Sequence, residues 1–199
     1  MVSTSGRALT RRAGVSVAAM TANVTAWYGT ADDTVRAEGR AWYATAHELC
    51  ASMARDSRRP LSVAAGVVAA LSPQVEWSRN LELARRALSD GRASGALGGS
   101  CRKADAVLAG SNVLDVLRGP KTRAFYTAIL TAGTEGTAVI DTWAVRAATL
   151  LTYSQVSPRA YPDVAYAYAS AAMALDAPVH HVQATVWLAI RSRQLTLGF

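Results

Sequence analysis

Apolar side chains return every three or four residues through almost all of this 199-residue chain, and no run of useful length alternates as a half-buried strand does. The pattern predicts an all-α fold with short connections. Asp32 and Asp33 precede a stretch in which Val35, Trp42, Ala46, Leu49 and Met53 form one apolar stripe, with Arg36, Glu38, Arg40 and Glu48 on the polar face. Pro60 starts a second helix, LSVAAGVVAAL, whose small side chains let neighbouring helices approach closely. After Ser72 and Pro73, QVEWSRNLELARRAL reads as a third, with Val75, Leu81, Leu83 and Leu88 toward the core. Residues 89–100, SDGRASGALGGS, have the composition of a loop. A short helix follows at 102–110. NVLDVLRGPKTRAFYTAILTAG then reads as helix, tight turn, helix, closed by Gly133 and Gly136, and the tail holds two more helices separated near Pro178. The opening residues carry Arg7, Arg11 and Arg12 and a short apolar patch, GVSVAAM, soon interrupted by Thr21, Asn23 and Thr25. A frayed arm is expected there, not a targeting segment.

The formal charge is +7, from 21 basic and 14 acidic side chains. Such a balance favours a polyanionic partner, because each neutralised phosphate releases counterions. Only Lys103 and Lys121 among the basic residues are lysines. An amine kept in an arginine-rich background is notable, since a guanidinium cannot act as a nucleophile at working pH. Cys50 and Cys101 have neither metal-site nor disulfide spacing, so buried free thiols in a reducing compartment are expected. His47, His180 and His181 are too few and too scattered for zinc, and no metal or other cofactor is expected. The apolar run from Val63 to Leu71 is far too short to cross a bilayer, so no membrane partner is expected.

The stretch 117–147 concentrates the chemistry. It places Lys121 after a Gly-Pro turn and Asp141 twenty residues later, at the mouth of another helix. Two ionisable groups carried on either side of one short helix can face a single cleft. A carboxylate stabilises oxocarbenium character at an anomeric carbon, as in glycoside hydrolysis. An aspartate at a helix start is also a common N-cap, here with Thr142 alongside, and both readings stand. Lys121 at a helix N-terminus equally suits a phosphate contact.

Three motifs in this region carry a family resemblance. ALSPQVEWSRNLELA resembles the LSAQ-type helix junction of the helix-hairpin-helix DNA glycosylases, the superfamily of the endonuclease III-like and MutY-like enzymes. LRGPKT resembles their hairpin LPGVGxKTA, and VIDTWAVRAA their VDTHVxRV, in the family's order and with a similar lysine-to-aspartate spacing. The likeness covers residues 63–148 well, and the flanks only through their helical character.

The resemblance implies a two-lobed helical glycosylase-like fold, with one lobe at about 61–136 and the other built from about 20–60 plus 141–199. It implies double-stranded DNA with an extruded base, held between the lobes by a monomer. Asp141 would be the charge-stabilising carboxylate, and Lys121 the Schiff-base nucleophile of the lyase-type members. Gln74 matches the glutamine that fills the gap left by an extruded base, or it hydrogen-bonds its own helix start. Trp77 and Asn80 could line the pocket, Trp77 being also a natural core residue. Tyr126 and Trp143, with Phe125, are candidates for the aromatic wall, and ordinary helix packing explains them equally well. Gly119, Thr122, Arg123 and Arg146 complete the expected DNA-contacting set. Gln183 and Trp187 share an i,i+4 spacing on the last helix, where Arg191 and Arg193 form a basic end suited to phosphates.

Two departures weaken the likeness. The hairpin offers only Gly119 followed by Pro120, which has no amide hydrogen, where the family has two glycines with free amides. No C-terminal cysteine cluster follows, so the iron–sulfur cluster of endonuclease III should be absent. The clipped hairpin and LSPQ form also look like small glycosylase-related proteins of actinobacterial phages. On that likeness the chain would hypermodify DNA bases; a third alternative is a DNA-binding module without chemistry. The expected location is cytoplasmic, in the host cell if the chain is phage-encoded.

Overall fold

The computed structural model describes residues 15–151 and 160–197. Among these residues the fold is all-α, with no strand. The helices are α1 (Val17–Gly29), α2 (Asp33–Ser57), α3 (Leu61–Leu71), α4 (Trp77–Asp90), α5 (Gly98–Leu108), α6 (Val113–Val116), α7 (Pro120–Leu130), α8 (Thr142–Thr149), α9 (Tyr161–Ala174) and α10 (Val179–Leu197). None of them is long and apolar enough to cross a membrane. They gather into two compact units, residues 1–42 with 136–199 and residues 43–135.

The 43–135 unit is built around α3. Ala64 through Leu71 are all buried, and α4, α5, α6 and α7 pack on it. A helix that is apolar on every side has to be enclosed in this way. Its small residues allow the enclosure: a Cβ on Gly66 would lie 2.9 Å from Val113 Cγ1 and 3.2 Å from Val107 Cγ1. Of the core residues expected for α4, Leu81, Leu83 and Leu88 are buried, whereas Val75 precedes the helix and is only half-buried. Residues 43–60, which the sequence reading grouped with the terminal helices, belong to this unit. Tyr43, Ala46, Cys50 and Met53 are buried, and the His47 ring pairs through Nδ1 with the Ile129 carbonyl of α7 at 3.0 Å. Burial pushes the Cys50 thiol up to about 12, which makes it inert. Cys101, expected to be buried, is only half-buried.

Helix boundaries moved where capping overrides composition. Gln74 takes a left-handed conformation (φ 60°), so α4 starts only at Trp77, with the Glu76 carboxylate accepting from the Ser78 amide at 2.7 Å. Ser89 and Asp90 continue α4 until left-handed Gly91 ends it. Gly98, Gly99 and Ser100 form the first turn of α5, the Ser100 and Cys101 amides reaching the Leu97 carbonyl at 2.8 and 2.9 Å. The expected twelve-residue loop thus shrinks to 91–97.

In the other unit the expected frayed arm is corrected over its described part: Val17 to Gly29 is helical, with Met20 and Val24 fully buried. The polar residues taken as breakers are satisfied in place. Thr21 and Thr25 donate back to the Val17 and Thr21 carbonyls at 3.0 Å each, and Asn23 Nδ2 donates to the Ala148 carbonyl at the end of α8 at 2.8 Å. Arg7, Arg11 and Arg12 lie outside the described residues. Helices α8, α9 and α10 pack on α1 and on one another. The start of α2 meets α10 backbone to backbone: a Cβ on Gly39 would fall 2.8 Å from the Thr185 Cα and clash with its hydroxyl.

That contact gives a prediction of sign. Helix propensity alone makes Gly39→Ala stabilising by about 1 kcal/mol, whereas the clash should reverse this to a net loss of about 1–3 kcal/mol. Gly29, with nothing within 4 Å, is the control and should tolerate alanine. Urea unfolding of the two variants measures both; a stabilised Gly39→Ala would refute the close approach.

Candidate functional site

The candidate residues fall in both units. In the unit of terminal helices, the residues leading to Asp141 are apolar and buried: Ala138, Val139 and Ile140. Backbone groups buried there need partners. The Tyr161 hydroxyl of α9 supplies them, accepting from the Ile140 amide at 3.2 Å and donating to the Ala138 carbonyl at 2.9 Å. The chain is therefore pinned one residue before Asp141.

Asp141 is half-buried and is the N-cap of α8, with Oδ1 accepting from the Ala144 amide at 2.8 Å. Oδ2 accepts from the Trp187 indole Nε1–H of α10 at 3.1 Å. Two donors from different helices fix the plane of the carboxylate, and the positive end of α8 suits its charge. Capping does not exclude chemistry, because a carboxylate offers about four lone-pair sites. Its charge is felt by two phenols. The Tyr168 hydroxyl, fully buried and donating to the Ala144 carbonyl at 3.3 Å, is pushed well above its usual range by burial first and then by Asp141. Tyr161 is also raised, by burial and secondarily by Asp141, against the lowering effect of the Ile140 amide.

Trp187 is itself held. Trp42 meets it edge-on with centroids 5.9 Å apart, and the Arg191 guanidinium lies 4.4 Å over its ring. Further along α8, Arg146 sits 4.8 Å over the Trp143 ring, and both side chains are half-buried. A carboxylate held by one indole N–H, with two phenols near enough to feel its charge and a guanidinium stacked on that indole, can orient a sugar and meet positive charge as it develops on it.

In the 43–135 unit, the hairpin is shorter than a two-helix hairpin. Its first helix, α6, is a single turn capped by Asn112, whose Oδ1 accepts from the Leu114 amide at 2.9 Å. Buried Leu117 leads to Gly119, the N-cap of α7, with Pro120 at the first helical position. Lys121 is half-buried in that first turn, and Arg123 is exposed. Thr122 is buried, its hydroxyl donating to the Gly119 carbonyl at 3.0 Å. Tyr126 is buried as well, its phenol raised by desolvation. Trp77, half-buried, packs edge-on with buried Phe125, centroids 6.2 Å apart. Asn80 is 1% exposed, and its Nδ2 donates to the Val68 carbonyl at 3.1 Å, so it ties α4 to α3. Gln74 is exposed on its left-handed turn. Such a conformation in a residue with a side chain costs about 1–3 kcal/mol.

Sequence reasoning missed Tyr161, Tyr168 and Trp42, and read Trp187 only as a helix residue. Trp187 lies 46 positions from Asp141, and no spacing signals a contact at that separation. An open hollow at the corner of α9 and α10, lined by Met173, Asp176 and Pro178 among others, contains none of the candidate residues. The Tyr161 pin is testable: Tyr161→Phe leaves the Ile140 amide and Ala138 carbonyl buried without their partner and should lower stability by about 1–3 kcal/mol. Thermal unfolding measures this, and an unchanged melting temperature would refute the pin.

Comparison with the curated proteins finds no match, and comparison with the solved structures finds none either. A family model matches residues 7–194, which include every candidate residue named above, and the chain belongs to that family, the family of unknown function DUF7178.

Proposed function

We propose that this chain cleaves the N-glycosidic bond of a nucleobase in DNA, its two units being the lobes of a helix-hairpin-helix glycosylase-like fold and the protein acting as a monomer. The observation that carries the reading is the Asp141 carboxylate, held in one plane by the Ala144 amide and the Trp187 indole among aromatic side chains. In this reaction the C–N bond breaks with its electron pair leaving on the base, which takes up a proton. The positive charge left at the anomeric carbon is stabilised by Asp141. Water then adds; on the lyase-type resemblance, Lys121 of the other unit is a separate candidate for Schiff-base formation and strand cleavage. The net charge of +7 supports a polyanionic substrate.

Asp141→Asn is the sharpest test, because asparagine caps a helix about as well as aspartate. Stability should fall only through the lost Trp187 bond, by about 1–3 kcal/mol, since an amide nitrogen cannot accept it, while base release from a panel of duplexes bearing damaged or modified bases, read by alkali-sensitive cleavage, should fall by on the order of 10²-fold or more. Unchanged release would overturn the assignment. Mass spectrometry of the treated nucleosides bears on the hypermodification alternative, since release leaves a free base and modification a heavier nucleoside.

The lysine is tested separately by borohydride trapping with abasic DNA. A covalent adduct is expected with the native chain and not with Lys121→Arg. Base release without any adduct would leave Asp141 as the reacting group and remove Lys121 from the covalent role. Binding without turnover on every duplex would reduce the protein to a DNA-binding module.

A further inference from the structure

Resting on that reading, we propose that Arg191 and Trp187 form a phosphate clamp beside Asp141, which takes the phosphodiester flanking the nucleotide whose sugar the carboxylate faces. One indole carries the arrangement. Its N–H donates to Asp141 Oδ2 at 3.1 Å, its edge meets Trp42, and its face bears the Arg191 guanidinium at 4.4 Å. Stacking occupies the face of a guanidinium and leaves its N–H donors directed outward in the plane, the geometry that grips a phosphate through two oxygens.

Arg191 is half-buried, and among the described residues no carboxylate or carbonyl pairs with it. An ion pair, Arg79 with Glu82 at 2.8 Å, lies on α4 in the other unit. A half-buried guanidinium oriented by stacking, without such a partner, is a site for an anion.

Arg193 provides an internal comparison. It lies two residues further along α10, about 200° around the helix, and stacks on Trp27 of α1 at 5.1 Å. Removing either arginine subtracts the same charge, but only Arg191 shares its indole with Asp141.

The test is fluorescence anisotropy of the full chain with two duplexes, one bearing a tetrahydrofuran abasic analogue and one intact, over a series of KCl concentrations. The native chain should prefer the analogue duplex. Arg191→Ala should lose that preference by roughly tenfold and lower the salt slope on the analogue duplex by about 1. Arg191→Lys, which keeps the charge without the planar fork and guards against a folding defect in the alanine variant, should show an intermediate loss. Arg193→Ala should retain the preference. The clamp is overturned if Arg191→Ala keeps the preference, or if the two alanine variants weaken both duplexes alike, which is diffuse charge. A native chain that binds both duplexes equally removes the glycosidic reading itself. Loss of that reading through an active Asp141→Asn, with the preference still dependent on Arg191, leaves the phosphate site standing alone.

Discussion

Helices with side chains this small cohere only if their backbones come close, and two glycines set the distance. Gly39 lets α2 lie against Thr185 of α10, and Gly66 lets α3 lie against Val107 and Val113. The first of these contacts also governs the candidate site. The same two helices bring Trp42 against Trp187, and Trp187 is the donor to Asp141 Oδ2. A widening of the gap at Gly39 would therefore be felt two residues away, at the indole that orients the carboxylate.

Polar groups do the finer positioning. The Tyr161 hydroxyl satisfies an amide and a carbonyl just ahead of Asp141, the carboxylate caps α8, and the Tyr168 hydroxyl reaches back to the Ala144 carbonyl. Together with the Trp187–Asp141 bond, these join α8, α9 and α10 around one charged group. Capping and the proposed reaction are compatible in this geometry, because the bond that holds the helix end also aims the side chain. In the 43–135 unit the same economy has a different result. Asn80 and Thr122, read as DNA-contacting candidates, have their donors on the Val68 and Gly119 carbonyls.

Much of the helical plan was legible because amphipathic periodicity is a local property. The stripe of Leu81, Leu83 and Leu88 and the enclosed helix 61–71 followed from spacing and size alone. Errors fell where a single hydrogen bond or dihedral decides. Thr21 and Thr25 look like breakers until their hydroxyls are seen on the preceding turn's carbonyls, and glycines 98 and 99 look like loop until the Leu97 carbonyl gathers the amides of the first turn of α5. Left-handed Gln74 displaced the start of α4 by three residues from its apparent place.

By itself the sequence determined the all-α class, the approximate extent of most helices, the cap at Asp141 and the excess of positive charge, since each depends on residues close together in the chain or on composition. Tertiary structure decided which aromatic rings surround Asp141, which candidates are enclosed, and that Arg191 shares an indole with the carboxylate. Those outcomes depend on contacts between residues dozens of positions apart. Such contacts are set by how closely helix backbones can approach, and periodicity carries no record of that distance.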